Sequence, residues 1–188
     1  DRRGQGMWIY PVQYNPVSRV LRVYSSITLV ATGASGSATN EISEETKRSG
    51  SRSFRQLYQK TFINYDGADF HRDGDDPEKM LVIAKDEYLE TLAPLVEWKR
   101  QMGIHTTVVP VSEVGSDASD VYNFVKNYYE THAITYLLLV GGADVIEPEM
   151  RQDGGDYSCD NCFGYLDGSD YAPEVFVGRF HADNVDQL

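Results

Sequence analysis

From Met80 onward the apolar positions fall into a rhythm of strand, helix, strand, helix, strand. MLVIA (80–84) is a continuous apolar run, the pattern of a strand covered on both faces. Tyr88, Leu92, Leu95 and Met102 then share one helical face, flanked by Leu89 and Val96. With Thr91 as the cap, Pro94 lies in the first turn, where a missing N–H is tolerated, and Gly103 is placed to end the helix. HTTVVPV (105–111) is the next strand, with Pro110 near its exit. SDASDVYNFVKNYYETH (116–132) predicts an amphipathic helix capped by Ser116 or Asp117, with Val121, Phe124, Val125 and Tyr128 on one side. ITYLLLVGG (134–142) and EVFVGRF (174–180) are the third and fourth strands, and a further helix start falls at Asp183. Such alternation implies right-handed crossovers and a parallel sheet flanked by helices, an α/β fold. Sites on such sheets collect at the carboxyl ends of the strands, where GGADVIEPE follows the third. Residues 148–173 read as one long loop returning the chain to the fourth strand.

The first third of the chain has a different pattern. Residues 7–30 read as two strands around a turn supplied by Asn15 and Pro16, a β-hairpin. A lone hairpin is marginal in water, so this piece must lean on something else. ATGASGSATNEISEETKRSGSRS (31–53) is rich in small polar residues and reads as a linker. FRQLYQKTFINY (54–65) is apolar enough to dock on a neighbour, and DGADFHRDGDDPEK (66–79) is a second loop.

Charge follows the same division. Residues 1–60 carry nine Lys/Arg against four Asp/Glu, whereas residues 61–188 carry eight against 25. An acidic main body repels phosphate, which excludes nucleic acid as the natural partner and favours cations. The chain has no apolar run of 18 residues, so no membrane span is expected. It starts with Asp1 and shows no signal-peptide pattern, so it is expected to begin inside a longer precursor.

Few residues carry obvious chemistry. Cys159 and Cys162 form a single CDNC motif, open to a disulfide or redox pair, half a zinc site, or two incidental thiols. His71, His105, His132 and His181 show no ligand spacing. VGGAD lacks the G-x-G-x-x-G pattern of a nucleotide loop. GYLDGSDYAPEVFVGRF (164–180) is more telling, because Asp167, Asp170 and Glu174 put more charge on a turn than the turn requires. A hard cation such as calcium takes six to eight oxygens from carboxylates and carbonyls, which this turn offers; the alternative is a solvated acidic loop.

Four stretches together resemble the gingipain-type cysteine peptidases, secreted proteases of Bacteroidetes-like bacteria. They are YPVQYNPVSRVLRVYSSITL, MLVIAKDEYLETLAPLVEWKRQMG, ITYLLLVGGAD and GYLDGSDYAPEVFVGRF. The resemblance implies a caspase-like α/β catalytic domain preceded by a β-rich prodomain that keeps a zymogen inactive. Residues 1–50 would be the tail of that prodomain, 51–79 a linker and docking segment, and 80–188 the amino-terminal subdomain of the peptidase. It further implies a structural calcium held by Asp170 and Glu174 with the carbonyls of Asp167 and Ala172. The family has another ligand, an Asp directly after the VG of the third strand; here that position is Gly142, and Asp144 is the nearest substitute.

The family's catalytic His and Cys would follow Leu188, so no residue here is assigned as catalytic. The implied partners are a protein or peptide substrate and the rest of the catalytic domain, in a secreted or cell-surface bacterial protein. If the enzyme were Arg-selective, Arg48, Arg52, Arg55 and Arg72 would be candidates for self-processing. Two other readings are a catalytically silent calcium-binding adhesion module and a sortase-like transpeptidase of the same fold.

Overall fold

The computed structural model describes residues 4, 6–30, 32, 51–65, 77–152, 155–168 and 171–188. The chain forms two compact units, residues 2–41 and residues 42–188, the latter together with Asp1.

In the smaller unit β1 (Val12–Asn15) pairs antiparallel with β2 (Val20–Val23). Asn15 makes the turn: its side-chain oxygen accepts the N–H groups of Val17 and Ser18 at 3.0 and 3.1 Å. Both strands are exposed throughout.

The larger unit opens with α1 (Arg52–Thr61), followed by β3 (Lys79–Ala84), α2 (Ala93–Gln101) and β4 (His105–Pro110). After the four-residue α3 (Val111–Val114) come α4 (Ala118–His132) and β5 (Tyr136–Val140). A hairpin of β6 (Glu149–Gln152) and β7 (Asp156–Cys159) precedes β8 (Phe176–Phe180). The expected parallel sheet is present, in the order β4-β3-β5-β8.

Alternation along the central strands divides the core. Leu81 and Ile83 of β3 join Leu137 and Leu139 of β5 beneath Val121 and Val125 of α4. Met80, Val82 and Ala84 face the other way, with Leu138, Val140, Tyr88 and Leu92. This two-sided burial is why β3 reads as an unbroken apolar run.

Several local expectations shift. The helix expected from Thr91 begins at Ala93 with Leu92 in the cap position, and Gly103 at φ +83° follows its carboxyl cap, Met102. Met102 is more than half exposed rather than on the apolar face, because the helix finishes at Gln101. Asp117 occupies the cap of α4 without a side-chain bond, and the helix stops at left-handed Ala133. At the end of the chain a single 3-10 turn over Val185–Gln187, capped by Asn184, replaces the helix start at Asp183. Within the long loop, the β6–β7 hairpin is a structure the sequence pattern did not predict.

Candidate functional site

Two regions concentrate polar chemistry, one at each end of the sheet. The acidic turn lies at the amino end of β8. Gly164 closes it: its carbonyl accepts the Glu174 N–H at 2.8 Å, and a Cβ added there would meet the Val175 carbonyl at 2.7 Å. Only glycine allows this approach of two backbones. Glu174 organises the interior, with Oε2 accepting the N–H groups of Leu166 and Asp167 at 2.8 and 3.1 Å. Phe163, Leu166 and Val175 anchor both arms in the core. Tyr165 and Tyr171 meet edge to face across the turn, and the Arg151 guanidinium of β6 lies 5.6 and 5.7 Å from their rings. Part of the negative charge is therefore met by backbone N–H groups, and a cation from the unexpected hairpin packs on the flanking aromatics.

The other region is the carboxyl edge. β3 leads to β4 on one side, while β5 lies on the other, so the topological switch point falls between the ends of β3 and β5. Lys85 and Glu87 pair there at 2.6 Å, a hydrogen bond that raises the Lys85 pKa. Asp86 accepts the hydroxyl of Ser112 at 2.5 Å and its N–H at 3.3 Å; the hydroxyl bond is the main reason its pKa lies below the ordinary 3.8. Asp144 Oδ1 lies 2.5 Å from where a Cβ on Gly142 would stand, so this carboxylate fills the space of a residue-142 side chain. His181 faces Asp183 at 3.4 Å, both well exposed.

A clamp reaches this edge from inside the sheet. Arg179 of β8 donates to both oxygens of Asp160, at 2.7 and 2.6 Å, and to the carbonyls of Gly141 and Gly142 at 3.1 and 3.3 Å. Its side chain is only 12% exposed. Asp160 sits between Cys159 and Cys162, which form a disulfide. The CxxC loop thus fixes the carboxylate that holds the arginine, and the arginine holds the glycine turn after β5. A lone arginine in an apolar strand was the signal for this network, since a charge there needs a partner.

Of the predicted calcium ligands, Asp167 and Glu174 meet through the Asp167 N–H and Glu174 Oε2, Ala172 stands two residues before Glu174 in the chain, and Asp170 lies outside the described residues. Asp144 is not brought to them. β5 and β8 run parallel, pairing Tyr136 with Phe176 and Val140 with Phe180. A residue after β5 and a residue before β8 are therefore at opposite ends of the sheet. Among the described residues, no group of three or more His, Cys, Asp or Glu is close enough to hold a metal by itself. His105 and His132 lie at the amino end of the sheet, lining a cavity of about 260 Å³ with Lys79 and Tyr128.

Fold and site together define an α/β scaffold whose polar chemistry lies in the loops, with a separate β-hairpin unit ahead of it. Residues 73–188 match Peptidase family C25, and residues 1–70 match its propeptide, Propeptide_C25. The chain belongs to peptidase family C25, as propeptide and start of the catalytic domain. It is 32% identical over 193 residues to gingipain R2 of Porphyromonas gingivalis strain W83, an alignment spanning 100% of this chain and 26% of that protein. Lys-gingipain of P. gingivalis strain ATCC 33277 is 29% identical over 191 residues, 96% of this chain and 11% of that protein. Among solved structures, the Arg-specific cysteine proteinase gingipain R superposes with a TM-score of 0.54 at 31% identity, covering 59% of this chain and 26% of that one. The complex of P. gingivalis RgpB pro- and mature domains gives 0.54 at 33% identity, covering 58% and 26%. The chain thus spans about a quarter of the gingipain R2 that it matches.

Proposed function

We propose that this chain is the front portion of a secreted cysteine endopeptidase zymogen, a propeptide segment joined to the scaffold half of the catalytic domain. The reactive His and Cys belong to residues outside 1–188. The observation that carries this is the disulfide: the chain has two cysteines, and both are consumed in it. A disulfide sulfur has no thiolate with which to attack a peptide carbonyl. The same bond supports an oxidising, extracytoplasmic setting, and no helix among the described residues is long and apolar enough to cross a membrane. In the complete enzyme, the carboxyl ends of β3 and β5 would support the substrate-facing loops.

The test compares the complete precursor with residues 1–188. Thiol-sensitive peptide hydrolysis is expected from the first and none from the second. Hydrolysis by residues 1–188, blocked by an alkylating agent, would overturn the assignment.

The acidic turn is read as a structural calcium site built from the side chains of Asp170 and Glu174 and the carbonyls of Asp167 and Ala172. What supports it is the donor chemistry: the groups are all oxygen, as a hard cation prefers, and Glu174 is already oriented by two N–H groups. Tyr165 and Tyr171, which meet edge to face, each stand within two residues of one of these groups in the chain and can serve as sensitisers for a lanthanide probe. Terbium bound there should luminesce on tyrosine excitation and be displaced by calcium, and Asp170→Asn should weaken both effects. Luminescence indifferent to calcium and to Asp170→Asn would remove the site.

A further inference from the structure

Helix α1 lies on the propeptide side of the family boundary, within residues 1–70, yet it packs on the peptidase sheet. Its seat is chemically specific. Ser51 caps the helix, accepting the Phe54 N–H at 3.3 Å, and the first turn contains no acidic residue of its own. A helix amino terminus has unsatisfied N–H groups and favours an anion. Glu78, just ahead of β3, supplies it: Oε1 accepts the Ser53 N–H at 2.9 Å. The other oxygen, Oε2, accepts the Tyr136 hydroxyl at 3.2 Å, and that hydroxyl meets the Ser53 hydroxyl at 2.5 Å. Beside this network Phe54 stacks on Phe176 of β8 with ring centroids 4.3 Å apart, and Tyr136 stacks on the same ring at 5.8 Å. Tyr58, Phe62 and Tyr65 continue the aromatic run along the helix and past its end.

We propose that α1 is a latch: it keeps the propeptide on the catalytic domain after the connection between Phe62 and Glu78 is cut. This rests on the zymogen reading above. A helix of ten residues is marginal alone in water, so its order depends on the seat. The seat belongs to β3, β5 and β8 at their amino ends, away from the carboxyl edge where such sheets bind substrate. Holding the propeptide is therefore separable from blocking the reaction. Loss of the latch uncovers Tyr136, Phe176 and Glu78 together as an aromatic surface with one carboxylate.

The experiment uses residues 1–188 with a recognition sequence for a site-specific protease placed within 66–76. After cutting, the two pieces should co-elute in gel filtration. Phe54→Ala should weaken their association by roughly tenfold or more. Glu78→Ala should act in the same direction, and Tyr136→Phe more mildly, since its ring stays on Phe176. Melting of the uncut variants separates loss of the seat from loss of the fold. Separation of the unaltered pieces overturns the proposal, as does undiminished retention with Phe54→Ala and Glu78→Ala. Neither result bears on whether the complete precursor is a peptidase, which its alkylation-sensitive hydrolysis decides.

Discussion

Single side chains show where sequence reasoning reaches and where it stops. Glu174 stood out because its charge exceeded what a turn needs, and two backbone N–H groups account for part of that excess. Asp144 was grouped with it by resemblance, although strand direction alone separates the end of β5 from the start of β8. Cys159 and Cys162 stayed open because a lone CxxC has the same spacing as a thiol pair or a disulfide. Arg52 and Arg55 lie within α1, whose backbone must unwind before a protease can use it, while Arg48 and Arg72 lie outside the described residues. Asp86 was not singled out, yet it ties the exits of β3 and β4 together through Ser112. Its pKa is depressed in the folded chain. The stability it contributes is therefore complete above its unfolded value and is lost as pH falls through the folded one. Asp86→Asn should accordingly lower the melting temperature at neutral pH, with the gap closing below about pH 4. Melting curves from pH 7 to 2.5 check this; a gap of constant size would show that the bond, not the charge, matters.

At the scale of elements, legibility tracked burial. β3 and β5 were readable because helices cover both their faces. EMRQ and DYSC, which form β6 and β7, have neither alternation nor an apolar run, and exposed or half-buried hairpin strands leave no such trace. Yet this hairpin leads into the disulfide loop, whose Asp160 holds Arg179. Closing so short a loop limits the unfolded chain by about 2 kcal/mol in the chain-entropy model. Removing Asp160 leaves a nearly buried guanidinium short of two bonds, also about 2 kcal/mol. Because the disulfide holds the loop that carries Asp160, the two losses should not add. Urea denaturation of Cys159→Ser/Cys162→Ser, of Asp160→Ala and of the triple variant should give a coupling above about 0.5 kcal/mol. Additive losses would mean that Arg179 is held independently of the crosslink.

For the whole molecule, stability should be as uneven as its burial. In residues 42–188 the central strands pair on both sides and their side chains are nearly all buried. Among the described residues of the unit 2–41 there are two four-residue strands joined by one ladder, and Trp8, Val17 and Val30 are almost wholly exposed. An isolated two-stranded hairpin holds little free energy, whereas core strands open only when the domain unfolds. Amide hydrogens of β3 and β5 should therefore exchange about a thousandfold more slowly, or slower still, than those of β1 and β2. The division of charge along the chain, basic up to residue 60 and acidic beyond, already hinted at two parts with different tasks. It did not show that α1, inside the basic part, packs with the acidic one. Exchange measured residue by residue would locate that junction: α1 should be protected more than β1 and β2 and less than β3. Hairpin amides protected as strongly as those of β3 would show that the two units unfold as one.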